Sequence, residues 1–105
     1  MSKNSDIKNK VRKTPEWKEF RENLIKEQKV DPITGKKLQK GCNCHHRDLN
    51  IEHYDQFDNE RQVMLNRQSH EILHFFYGDE RHKKDWRTMV NGLIEQLELM
   101  DKYNK

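Results

Sequence analysis

Two cysteines, two prolines and no apolar run approaching 18 residues are found among the 105 positions of the chain, and each shortage removes a class of protein. Cys42 and Cys44 stand two apart, so a disulfide between them would close a small, strained ring, and a disulfide-framed fold is excluded. With no long apolar segment, and no opening run of basic, hydrophobic and small residues, neither a membrane span nor a secretory signal is expected. The expectation is a soluble, cytoplasmic protein. Hydrophobic residues are scarce too, at 31% against 37% charged, which leaves a thin core for one domain and lets a bound metal contribute to folding. No internal repeat or low-complexity segment is present.

The net charge of +3 is unevenly spread. Residues 1–40 hold 12 Lys or Arg against 6 Asp or Glu, residues 41–77 hold 3 against 6, and residues 78–105 hold 6 against 6. Residues 1–13 are expected to form a basic, disordered arm, whose Lys3, Lys8, Lys10, Arg12 and Lys13 suit the phosphates of a polyanion. A single domain is expected over 14–105.

Thr14 as cap, Pro15 at the first helical position and Glu16 in the first turn announce a helix, along which Trp17, Phe20, Leu24 and Ile25 make one apolar stripe. Asp31-Pro32-Ile33-Thr34-Gly35 is a turn sequence that should lead into a first strand. Residues 47–60 are polar and irregular, broken by Leu49, Ile51, Tyr54 and Phe57, as in a loop pinned by a few side chains. Gln62-Val63-Met64-Leu65 is predicted as a second strand burying Val63 and Leu65 on one face. Asn66 or Ser69 can cap a helix that carries the cluster Phe75-Phe76-Tyr77, expected as core, until Gly78 stops it. A last helix, from about Asp85 to Tyr103, aligns Trp86, Met89, Val90, Leu93, Ile94, Leu97 and Met100 along one side, and could pack on the first helix, dimerise or engage a protein partner.

The histidines carry the chemistry. His70 and His74 are one turn apart on the predicted helix and can offer two imidazoles to one ion, with His45 as the natural third ligand. His46, the neighbour of a ligand on an extended segment, points the other way and would stand near the metal without binding it, where it can take a proton from water. At its ordinary pKa of about 6.5 it would shed its proton between roughly pH 6 and pH 8, so activity should rise there. Three ligands, an open position and a base describe a hydrolase. Cys42-Asn43-Cys44-His45-His46 is also a tempting zinc string, but its two cysteines are not spaced as a knuckle and have no second pair, so they are taken as small, reduced strand residues. His53 and His82 are expected to be solvated.

The order His45-His46, irregular stretch, short apolar run and His70-x-x-x-His74 on a helix resembles the HNH endonucleases over about residues 31–78. The all-histidine ligand set is most similar to that of the nuclease colicins. The resemblance implies an α+β fold in which a ββα-metal core, two antiparallel strands and a metal-binding helix, is flanked by an N-terminal and a C-terminal helix. It implies one divalent ion on His45, His70 and His74, with His46 as general base. The imidazole donors suit Zn, Ni, Co or Mn better than Mg. The family's central asparagine, which orients the base, would fall at Arg61. Asn59 or Asn66 could serve instead, or a backbone carbonyl could fix the imidazole, leaving Arg61 to contact the phosphate.

The function so implied is hydrolysis of DNA phosphodiesters, leaving 5′-phosphate and 3′-hydroxyl ends, by a small stand-alone protein similar to those of bacteriophages, working in the host cytoplasm. Two alternatives share the histidines: a weakly active or inactive nucleic-acid-binding module of the same fold, and a structural-zinc module for protein interaction.

Overall fold

The structure is a computed structural model that describes residues 3–79 and 81–104. Among the described residues the fold is α+β, with four helices and one two-stranded antiparallel sheet. No helix among them is long and apolar enough to cross a membrane. By contacts the chain forms two compact units, residues 1–70 and 71–105, where one domain over 14–105 was expected. The division falls within a helix.

The N-terminal arm, expected to be disordered, is a helix, α1 (Lys3–Arg12), while residues 1 and 2 and the side chains of Lys3 and Asn4 lie outside the described residues. Asp6 in its first turn and Lys10 and Arg12 in its last oppose the helix dipole favourably, and Ile7 and Val11 share one face. Its end is held by two bonds that local patterning does not reveal. The Thr14 hydroxyl donates to the Val11 carbonyl at 2.7 Å, and Arg12 Nε donates to the Tyr54 hydroxyl at 3.2 Å.

Helix α2 (Pro15–Gln28) starts as its sequence dictates, with Thr14 Oγ1 accepting from the Trp17 amide at 3.3 Å. Trp17 and Leu24 are buried, and Phe20 and Ile25 flank a small core of Leu24, Cys42 and Met64. Lys29, at φ 65°, ends the helix, and Gly35, at φ 71°, completes the turn from Asp31.

Strands β1 (Asn43–His46) and β2 (Gln62–Leu65) pair antiparallel, with Asn43 opposite Leu65 and His46 opposite Gln62. All four β2 residues are buried, rather than Val63 and Leu65 on one face. The reason is that the second face of β2 is covered too: Met64 packs with Leu24 and Cys42, and the Gln62 side chain is bonded into the loop at Gln56 and Asp58. The outer edge of β2 is closed as well. Gln28 Oε1 accepts from the Met64 amide at 2.8 Å and its Nε2 donates to the Met64 carbonyl at 2.5 Å, so a side-chain amide stands in for a third strand.

Helix α3 (Arg67–Tyr77) follows after one residue. Its N-terminus is fastened by Asp31, whose side chain is fully buried. Asp31 Oδ1 accepts from the Ile33 and Thr34 amides at 2.7 and 3.2 Å, Oδ2 accepts from the Asn66 amide at 2.8 Å, and the Ser69 hydroxyl also bonds to this carboxylate. Burial pushes the carboxyl up, but the bonds from Ser69, Asn66, Ile33 and Thr34 outweigh it and hold it below the usual range. Asn66 spends its side chain on the preceding loop, accepting from the Gln39 amide and donating to the Lys37 carbonyl, so Ser69 and Asn66 serve α3 through Asp31. Gly78, at φ 80°, closes the helix, where a Cβ would collide with the His82 carbonyl.

Two of the three aromatic residues near the end of α3 are not core, and Phe76 is half-buried. Phe75 is 59% exposed, with Lys84 Nζ 4.0 Å from its ring centroid, and Tyr77 is also exposed. Helix α4 (Trp86–Tyr103) is capped by Asp85, which accepts from the Thr88 amide and hydroxyl.

Candidate metal centre

His45 lies on β1, while His70 and His74 lie one turn apart on α3. The antiparallel hairpin and the one-residue step from β2 into α3 bring the ring centroids of His45 and His70 to 5.4 Å in an edge-on arrangement. His74 continues the same helical face. One ring nitrogen from each of the three lies within 4.8 Å of the other two, close enough to share one metal ion. His45 and His70 are half-buried and His74 is exposed, so the set has one sheltered and one open side. Three imidazoles from two elements form a donor set that fits Zn, Ni, Co or Mn and leaves coordination positions for water.

Alternation along β1 turns His46 away from His45, as expected. Its ring is stacked on two aromatics: Tyr54 at 4.5 Å and 20°, and Trp17 at 5.7 Å and 18°. Trp17 in turn meets Phe57 at 5.4 Å, and Phe57 stacks on Phe20 at 5.6 Å. Burial, and then the charges of Arg12, Lys8 and His70, push the His46 pKa down to about 4. This imidazole is neutral well below neutrality. Its proton is then lost below the pH 6 to pH 8 window set by its ordinary pKa.

Arg61 and Asn59 are engaged within the 47–61 loop. The Arg61 guanidinium is held between two carboxylates, with Nε on Asp48 Oδ2 at 3.3 Å and a second nitrogen bonded to Asp58. The bonds to Asp58 and then Asp48 raise its pKa. Arg61 thus braces the 47–61 loop. Asn59 is exposed and offers its backbone carbonyl to Arg47 at 3.1 Å. The loop tie expected of an asparagine is made by Gln62, directly opposite His46. Its buried side chain accepts from the Asp58 amide and donates to the Gln56 carbonyl, each at 2.8 Å.

Sequence reasoning passed over Trp17, Tyr54, Gln62 and the α1 cations as parts of this site. Tyr54 was visible only as an aromatic in a polar loop. His53, expected to be solvated, bonds through Nδ1 to Asp48 at 2.7 Å, and the Asn50 amide and His53 together hold that carboxyl low. Cys42 and Cys44 are free thiols, and burial, opposed by the Arg21 charge, pushes Cys44 up to about 12. A thiol so poised is a packing group.

Comparison with models of known protein families, with curated proteins and with solved structures finds no match to this chain.

Proposed function

We propose that the chain is a divalent-metal-dependent endonuclease of the HNH type acting on DNA, with a ββα-metal core built from β1, β2 and α3. The observation that carries this reading is the convergence of His45, His70 and His74, with His46 as their sheltered neighbour. A divalent ion held by the three imidazoles would supply positive charge for a phosphate oxygen and for the departing 3′ oxygen. The chain does the rest. His46, neutral and stacked on Trp17 and Tyr54, accepts a proton from the attacking water. Lys8 and Arg12, whose charges are felt at His46, draw a backbone phosphate toward that ring and take the role first given to Arg61.

The second reading is a nucleic-acid-binding module of the same fold. It is favoured by one observation, that Arg61 is committed to Asp48 and Asp58. Nicking of supercoiled plasmid with Mn, Ni, Co, Zn or Mg, with and without chelator, separates the two. The nuclease reading expects chelator-sensitive nicking, and His74→Ala should lose bound metal and activity together. Intact plasmid under every metal, with one ion still bound per chain, would replace the nuclease by the binding module.

A further inference from the structure

Helix α4 carries half of the exposed large hydrophobic residues among the described residues. Trp86, Leu93, Ile94, Leu97 and Met100 are between 38% and 60% exposed, on a helix that buries no residue at all. An isolated helix of this length is marginal in water and draws its stability from packing an apolar face. We propose that α4 pairs antiparallel with α4 of a second copy of this chain.

The choice of partner and of direction comes from the charges beside the stripe. With Val90 and Leu97 at the a positions of a heptad, Trp86, Leu93 and Met100 fall at d, and Arg87, Ile94 and Asp101 fall at e along one edge. In an antiparallel pair the e edge of one helix faces the e edge of the other. Arg87 of each copy then meets Asp101 of its mate, two ion pairs related by the two-fold axis, with Ile94 facing Ile94 at the centre. In a parallel pair the e edge would face g, occupied by Met89, Gln96 and Tyr103, and neither charge would find a partner. Arg87 already lies at the stripe, its guanidinium carbon 4.3 Å from the centroid of the Trp86 ring.

The ends of the helix agree with this direction. Arg81, Lys83, Lys84 and Arg87 outnumber Asp79, Glu80 and Asp85 at the start, whereas Glu95, Glu98 and Asp101 outnumber Lys102 and Lys105 near the finish. Asp101 sits in the last turn, where a helix dipole disfavours it, and an antiparallel mate brings its positive N-terminal end beside it. Parallel pairing would set like against like.

Sedimentation equilibrium of the full chain tests this between roughly 1 and 500 µM. The mass should move from 12.9 kDa toward twice that value as concentration rises. Arg87→Asp and Asp101→Arg should each raise the dimer dissociation constant about tenfold, since an attractive pair becomes repulsive at both ends. The double reversal should restore it to within about threefold, because the two positions, four turns apart, are too distant to interact within one helix. Leu93→Glu should abolish the dimer. A monomer at every concentration would overturn the proposal and mean that the stripe is covered by its own chain or by a different partner. So would a dimer indifferent to both single reversals, or a double reversal that fails to restore pairing. None of these outcomes depends on nuclease activity.

Discussion

Replacing Asp31 by Ala should cost about 4 kcal/mol of stability, a large share of the 5–15 kcal/mol typical of a small protein. The carboxylate accepts from three amides, those of Ile33, Thr34 and Asn66, and is joined by the Ser69 hydroxyl. Each buried donor left without an acceptor costs about 1–3 kcal/mol, and water entering the space left by the side chain recovers part of the sum. Asp31→Asn keeps the shape but turns an NH2 toward one of these donors, so about 2 kcal/mol is expected. The pH dependence follows from the depressed carboxyl. A group held below its unfolded value of about 3.9 contributes fully above that pH and loses its contribution as pH falls through the folded value. The gap between the natural chain and Asp31→Asn should therefore be constant from pH 7 to about pH 5 and shrink below about pH 4. Urea unfolding followed by tryptophan fluorescence, with chelator present, measures both. An Asp31→Ala protein within about 0.5 kcal/mol of the natural chain at pH 7 would refute the reasoning, as would a gap that does not change in acid. Because Asp31 fastens the start of the helix that carries His70 and His74, metal affinity should fall in the same variants.

His46→Ala should lower plasmid nicking about 10²–10⁴-fold with metal content unchanged, and loss of the ion in that variant would make His46 a ligand and not a base. For the natural chain at saturating metal, the rate should carry no step from the His46 proton between pH 6 and pH 8, and a single titration there that disappears in His46→Ala would contradict the low pKa. Arg12→Gln should weaken DNA binding, reduce its log-log salt slope by about 0.9, and lower the saturated rate, since Arg12 also steadies Tyr54. A salt slope equal to that of the natural chain would remove Arg12 from the phosphate path.

Features written into short stretches were legible. Thr14-Pro15 starts α2, Gln62–Leu65 is β2 and Gly78 stops α3, because a cap, an apolar run and a positive φ each depend on one or a few neighbouring residues. The spacing of His70 and His74, and the placement of His45 before the second strand, likewise reach the structure unchanged. What could not be seen were contacts between residues distant in sequence. Arg12 reaches Tyr54 across 42 positions, Gln28 reaches Met64 across 36 and Asp31 reaches Asn66 across 35. The arm was expected to be disordered because its composition is polar, and composition says nothing of the bonds that hold its end.

Contacts between distant residues also decide how His46 is held, in a way different from the asparagine contact expected of the resemblance. A hydrogen bond to one ring nitrogen orients an imidazole by choosing its tautomer, which then leaves the other nitrogen to act. The stack of Tyr54 and Trp17 orients His46 by its faces. Stacking fixes the plane of the ring and keeps water from its surfaces, but it sets no tautomer and makes no demand on the edge. Burial against two aromatics also disfavours the protonated ring, and the cations of α1 add to this, so the same packing that positions the base keeps it neutral. In the proposed reaction so weak a base would place a larger share of the barrier on stabilising the charge that develops on the phosphate and the departing 3′ oxygen. An all-histidine ligand set would suit that need, since three neutral donors leave a bound ion its full positive charge for those oxygens.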